Sequence, residues 1–380
     1  MSERVYDTIV AGLGAHGSAA AYHLAKRGQS VLGFDRFQRG HTLASFGGLS
    51  RIIRLSYYEH PNYVPLLKRA WDLWRELERD SGEKLLTQTG GLYMGPPDGE
   101  LVSGAIASAE THGLAHERLD SAELKRRYPL FEIDPTWTGI FEEQAGWLAP
   151  ELSIETHLRL AEKHGATLRF KEPVEHWKRD GDAVQVRTLY GTYRARRLVI
   201  TAGAWLSRLV PELAKHLWVE RNVLFWFEPR TRLALDAFAK LPVYIVEDTD
   251  RLYYGFPYDP ANGLKMAGLH FGDRVDPDTV DREVSAQDEE RVRAWLRRRM
   301  PLANGERRRA QVCLYTNSPD GHFIIDRDGP VTYASACSGH GFKFAAAVGE
   351  ILADLTTSGR TSLDIGFLSA GRLTSGTMKA

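Results

Sequence analysis

The chain has 380 residues, enough for two domains, and its 43% apolar and 26% charged content is that of an ordinary soluble globular protein. With 49 basic against 49 acidic residues there is no net positive field, which argues against a general binder of nucleic acid or anionic membrane. No apolar run reaches the roughly 18 residues of a membrane span, and MSERVYDTIVAG lacks the regions of a secretory leader, so a cytoplasmic protein with Cys313 and Cys337 reduced is expected.

In chain order, residues 6–36 read as strand, tight glycine turn, helix and strand. The run TIVAG suits a strand buried on both faces, and SAAAYHLAKRG has helical spacing with a glycine stop. Gly12, Gly14 and Gly17 form G-x-G-x-x-G, and Asp35 follows 18 residues after the last glycine. Glycines let the backbone approach a pyrophosphate at the helix N-terminus, and the acid can bind a ribose hydroxyl, so a dinucleotide site is predicted. The fingerprint does not choose between NAD and FAD. Residues 63–82 read as an amphipathic helix with a glycine stop, 83–150 as mixed short elements, and 153–166 as a helix opened by Ser153. Strands are expected over 167–205, ending in Thr-Ala-Gly-Ala-Trp, where Gly203 and Trp205 mark a second place of close backbone approach. From about 219 to 318 the chain is rich in alternating strands, and from 321 it returns to two short strands, a Gly-His-Gly turn and an apolar helix. This alternation predicts a discontinuous dinucleotide domain, with a second domain made from its insertions.

Four residues carry chemistry of their own. Lys343 sits in CSGHGFKFAAAVGEILADL at the start of the apolar helix, in a chain with only 12 lysines against 37 arginines. An anion site there would combine unpaired helix N–H groups with a full charge; the plainer alternative is a capping turn with the lysine reaching water. Lys265 is one cation in the apolar strand LKMAGLHFG, either a functional cation with His270 nearby or an ordinary solvent-facing strand lysine. Arg51 and Arg54 stand three apart, so on a helix both would face one carboxylate or phosphate, or one salt-bridged surface. Cys313, alone, reads as a core cysteine. The chain carries no metal-ligand spacing, Walker A lysine or G-x-S-x-G elbow, so the residues by themselves describe a dinucleotide-dependent oxidoreductase of open substrate.

The segments VAGLGAHGSAAAYHLAKRG, SRIIR, TQTGGLYMGP, TAGAW, YYGFP, GLKMAGLHFG, DPDTVDRE, CLYTNSPDGHFIID and SGHGFKFAAAVGE together resemble the monomeric sarcosine oxidase and N-methyltryptophan oxidase family, within the D-amino-acid-oxidase-like flavoproteins, over about residues 5–372. The resemblance implies FAD rather than NAD, and an oxidase that takes hydride from the carbon next to a secondary amine and passes electrons to O2, giving hydrogen peroxide and an imine that hydrolyses. It implies that Cys313 carries the flavin through a thioether, and that Arg54 and Lys343 hold the substrate carboxylate. It also implies that Lys265 favours electron transfer to O2, and that Tyr254 and Tyr315 wall the amine pocket. Gly339, His340, Gly341 and Phe342 would lie beside the flavin ring, with Arg51 packed near it. Ser45 and Val174 complete the implied cofactor set, and Phe46 and His270 the implied substrate site.

Relatives often have His-His-Gly-Asp where this chain has Ser45-Phe46-Gly47-Gly48, so Phe46 makes the site more apolar. His270 falls one residue beyond the family's active-site histidine, at whose place stands Leu269, and a one-residue shift on a strand reverses the side chain's face. Bulkier N-substituted glycines are therefore expected to be taken better than sarcosine. The fold class implied is α/β: a discontinuous Rossmann-type FAD-binding domain (1–86, 150–218 and 319–380) plus an α+β substrate domain with a mostly antiparallel sheet (87–149 and 219–318). A monomer with no metal is expected, with a small secondary amine and O2 as its partners. The alternatives are a related enzyme of cyclic imino acids or glycated amino acids, and a catalytically idle flavin-binding protein.

Overall fold

The computed structural model describes residues 5–249 and 251–374. The strand Val5–Ala11 pairs in parallel with Val31–Phe34 on one side and Gly191–Ile200 on the other. Alternation along it decides its two faces: Val10 joins the apolar cluster of the helices, whereas Ile9 and Ala11 join the cluster on the opposite face. The outer edge of Gly191–Ile200 is shared, its first half pairing antiparallel with Ala183–Thr188 and its second half in parallel with Val331–Ser335. The helices Ala15–Lys26, Tyr63–Ser81, Pro150–Lys163 and Ala345–Ser358 pack together against one face. Gly349 lets the last helix lie close on the first, because a Cβ there would stand 2.4 Å from that of Ala19.

A second sheet of nine strands is antiparallel throughout except where Val243–Asp248 runs parallel to Gly91–Gly95. Its longest pairing joins Trp218–Phe227 to Arg307–Asn317 and sets Cys313 opposite Asn222. A small third sheet holds Arg51–Ile53 against Gly146–Leu148, with Leu86–Gln88 on the other edge.

Two local expectations change. The helix expected from Ser153 begins at Pro150, because proline at the first helical position needs no N–H partner and Ser153 turns its hydroxyl back onto the Ala149 carbonyl at 2.6 Å. Arg51 and Arg54 do not share a helix face. Arg51–Ile53 is a strand, and Arg54 lies just beyond its end, so the two guanidinium groups part company. The helix expected over 63–82 does form, over Tyr63–Ser81, and Gly82 closes it in the left-handed conformation at φ 74°.

Candidate active site

A cavity of about 430 Å³ runs from the carboxyl end of the parallel strands to the face of the antiparallel sheet. Its first part is made of backbone. Gly12 has φ +95°, and a Cβ there would lie 2.5 Å from the Thr201 carbonyl oxygen. A Cβ on Gly17, which lies behind the lining, would stand 1.8 Å from the Gly12 carbonyl oxygen. The helix Ala15–Lys26 starts directly after this turn with no side-chain cap at Gly14, so its first N–H groups are left for a ligand. Asp35 is fixed by two backbone donors, Leu13 N at 2.9 Å and Phe37 N at 2.8 Å, one to each carboxylate oxygen. Burial pushes its pKa up, against the pull of those two donors. Val174, Gly203 and Trp205 complete this end. The uncapped helix start, the glycine turn and the held carboxylate fit a dinucleotide's pyrophosphate and ribose.

In the middle, Phe46 lies over the glycine turn, 3.4 Å from where a Gly14 Cβ would stand, and its edge meets His41. Phe46 thus belongs to the nucleotide side of the cavity. Arg51 folds onto backbone: its Nη1 donates to the Ser50 carbonyl at 2.8 Å, and its Nη2 to those of Gly47 at 2.6 Å and Ser45 at 3.0 Å. Cys313 is 1% exposed and lies one layer behind Ser45 and Arg51, with Sγ 3.4 Å from the Ser45 oxygen and 3.5 Å from Arg51 Nη2. Burial pushes its thiol pKa up, and the Arg51 charge opposes this. Cys337, not singled out as a site residue from the sequence, lines the cavity itself.

The Gly-His-Gly turn is held rigid. His340 Nε2 faces the Gly321 carbonyl at 3.0 Å and must donate to it, so Nδ1 accepts from the Tyr57 hydroxyl at 2.5 Å. Burial pushes this imidazole down to about 3, which keeps it neutral. Gly341 is obligatory, since a Cβ there would lie 1.7 Å from the Ala336 carbonyl oxygen. One 3-10 turn, Phe342–Phe344, then leads into the helix, and Trp74 Nε1 donates to the Lys343 carbonyl at 2.8 Å.

At the far end two cations meet. Lys343 is 6% exposed, with Nζ 2.5 Å from the His340 carbonyl and 5.3 Å from the centre of the Tyr57 ring. Burial pushes its pKa down to about 7; Arg54 adds to the shift and Glu59 opposes it. Arg54 is 2% exposed, lies over Tyr57 at 4.2 Å and Tyr58 at 4.7 Å, and donates through Nη2 to both Glu59 oxygens at 2.6 Å. Burial works against the Glu59 charge, yet Arg54 and Lys343 hold its pKa below the usual range. Tyr254 and Tyr315 stand side by side, hydroxyl oxygens 3.3 Å apart, and wall the same space.

His270 and Lys265 do not line the cavity. Leu269 lines the cavity, while His270, at φ +55°, turns away to pair Nδ1 with Glu220 at 3.0 Å. Lys265 lies behind the lining, its ammonium spent on three oxygens: the Gly48 carbonyl at 2.7 Å, the Ser50 carbonyl at 2.5 Å and the Ser50 hydroxyl at 3.2 Å. Burial pushes its pKa well down, and these three acceptors, matched to the three donors of an ammonium, offset that cost.

Sequence reasoning missed Glu59 and Glu142. Glu59 follows Arg54 by five residues in RLSYYE, within reach of a local ion pair, and that spacing was the available signal. Glu142 had none. It comes from a distant strand, is 1% exposed, and accepts from Leu55 N, Ser56 N, the Ser56 hydroxyl and the Tyr93 hydroxyl, fixing the backbone that follows Arg54.

The chain matches the family model of the FAD dependent oxidoreductases, DAO, over residues 7–355. It is 41% identical to a monomeric sarcosine oxidase of Streptomyces avermitilis, over 97% of this chain and 98% of that one. It is 34% identical to an N-methyl-L-tryptophan oxidase of Yersinia pestis, over 97% and 99%. Among solved structures it is similar to NikD, described as an unusual amino acid oxidase essential for nikkomycin biosynthesis, with a TM-score of 0.85 at 26% identity over 96% of this chain and 97% of that one. The glycine turn, the held Asp35 and the Gly-His-Gly turn thus stand in a scaffold matched over nearly its whole length: the chain belongs to the DAO family of FAD-dependent oxidoreductases and resembles its monomeric sarcosine oxidases and N-methyltryptophan oxidases.

Proposed function

We propose that this protein oxidises secondary amines that carry a carboxylate, N-alkyl amino acids of the sarcosine class, with O2 as the final electron acceptor. The observation that carries the reading is the pair of buried cations, Arg54 and Lys343, facing one cavity beside the Gly-His-Gly turn. Buried cations without a ligand are costly, and Arg54 is compensated by Glu59 alone at full ion-pair distance. A substrate carboxylate would enter between Arg54 and Lys343, beside Glu59, and set the amine against Tyr254 and Tyr315.

FAD supplies the chemistry of accepting a hydride from the carbon next to nitrogen. The protein's part is to hold that carbon, exclude water with the apolar walls Ile52, Phe256 and Leu269, and keep charge in place. Lys343 Nζ carries its proton while it holds the carboxylate. Overall the amine gives up two electrons and two protons, O2 takes them up as hydrogen peroxide, and water splits the imine into a primary amine and an aldehyde. In this reading Lys265, a buried cation behind Gly48 and Ser50, would favour the step to O2, and Cys313 would hold the flavin through a thioether, the two hydrogens lost from its thiol and from a flavin C–H passing on to O2. Proximity supports the tether, since the Cys313 thiol lies directly behind Ser45 and Arg51 of the lining. The relatives' own names support a monomer.

The test is peroxide release from the purified protein with sarcosine and a panel of bulkier N-alkylglycines, followed by precipitation in acid. Peroxide from at least one, with yellow colour in the pellet, is expected. Peroxide from none would overturn the substrate class, and colour in the supernatant would overturn the Cys313 tether.

A further inference from the structure

Behind the wall at the nucleotide end of the cavity lies a segment of the other sheet's connections. Residues 274–284 leave the short strand Arg274–Val275, which pairs with Val219 and Glu220, and run across to the parallel-sheet side. There Asp278 gathers three donors. Its Oδ1 accepts from Trp205 Nε1 at 2.7 Å and forms an ion pair with Arg36 Nη1 at 3.0 Å, and its Oδ2 accepts from Arg208. All three donor residues line the cavity at the Asp35 end. Val275, Val280 and Val284 pack beneath, against Trp205 and Phe37, and Arg282 donates to the Leu43 carbonyl at 2.7 Å.

We propose that this segment braces the wall that meets the adenosine diphosphate half of the cofactor, with Asp278 as the positioning residue that holds it in place. Two physical effects converge on Asp278. It holds the Arg36 guanidinium 4.6 Å from the centre of the Trp205 ring, so that the wall of the nucleotide end is fixed before a ligand arrives. It also engages Arg36 and Arg208, so that Asp35, held by two backbone N–H groups with His41 Nε2 3.6 Å away, pairs with neither arginine and stays open to a ribose hydroxyl. Isolated ion pairs at this exposure contribute little, but one carboxylate shared by three donors also sets geometry.

The test compares Cys313→Ser with Cys313→Ser/Asp278→Ala, so that any thioether is absent and the cofactor can exchange. Dissociation constants are measured by equilibrium dialysis for FAD and for FMN, which lacks the adenosine part. About tenfold weaker FAD binding, roughly 1.4 kcal/mol, with FMN changed less than about twofold, is the expected result. Unchanged FAD binding overturns the proposal. So does an equal loss for FMN, which would mean a general loosening of the fold. Should the alanine variant not express, Asp278→Asn, which removes the charge and keeps the shape, is judged by the same criteria.

Discussion

At one end of the cavity the binding surface is main chain: the Gly12–Gly17 turn, an uncapped helix start, and a carboxylate held by two backbone N–H groups. At the other it is side chain, with Arg54, Lys343 and Glu59 buried among tyrosine rings. The first end gains its specificity from what is missing, since any Cβ at Gly12 or Gly17 collides with a carbonyl oxygen. The second gains it from charge kept out of water, where each ion depends on its partners. A backbone site fails by steric blockage and loses its ligand altogether. A charged site fails by degrees.

That contrast can be broken most sharply at Gly17. Gly17→Ala places a Cβ 1.8 Å from the Gly12 carbonyl oxygen, where backbone cannot yield cheaply. The expected outcome is a protein that purifies without flavin, read as the ratio of flavin to protein absorbance; a normal ratio would show that the turn relaxes. Next in size, Lys343→Met should raise KM for an N-alkylglycine about 100-fold or more while flavin content stays normal, because the loss of one charged partner typically costs about 2–5 kcal/mol. An unchanged KM would place Lys343 outside the substrate site.

The smallest effect is pH dependence. Lys343 is pushed from its ordinary 10.5 down to about 7 by burial, so in the free protein it loses its proton as pH rises through about 7. KM should rise several-fold above that pH in the parent, and this limb should vanish in Lys343→Met. Stability runs the opposite way: between about 7 and 10.5 the unfolded chain binds more protons at this position, so Lys343's contribution to stability grows with pH across that window. Denaturant titrations of the parent and Lys343→Met over that range check the sign.

The same contrast explains what was legible in the chain. The glycine turn, its helix and Asp35 lie within 31 residues, 6–36, and obey local rules, so their structure follows from spacing. The helix over Tyr63–Ser81 was legible for the same reason, its apolar residues spaced for one buried face and Gly82 marking its end. The charged end draws on Arg54, Glu142, Tyr254, Tyr315 and Lys343, residues whose meeting depends on how two sheets dock, and no local period encodes that. Lys343 was conspicuous because a cation at the start of an apolar helix needs a reason, and its burial supplies one. Arg51 and Arg54 misled for a local cause: three-residue spacing means one face only on a helix, and these two straddle the end of a strand. His270 shows the limit of counting, since a left-handed residue at φ +55° at the strand's end decides which way the side chain goes.

The Arg54–Glu59 pair has a consequence for the kind of ligand this cavity can admit. With Glu59 in place the guanidinium is already neutralised, and its dehydration has been met during folding. With Lys343 protonated beside that pair, two cations stand against one carboxylate, and a single carboxylate on a ligand would bring the interior to neutrality with Glu59 still in place. A neutral amine or ester would strand a cation, and a dicarboxylate would strand an anion. Under the proposed function the cavity would therefore weigh charge before shape and favour monocarboxylates.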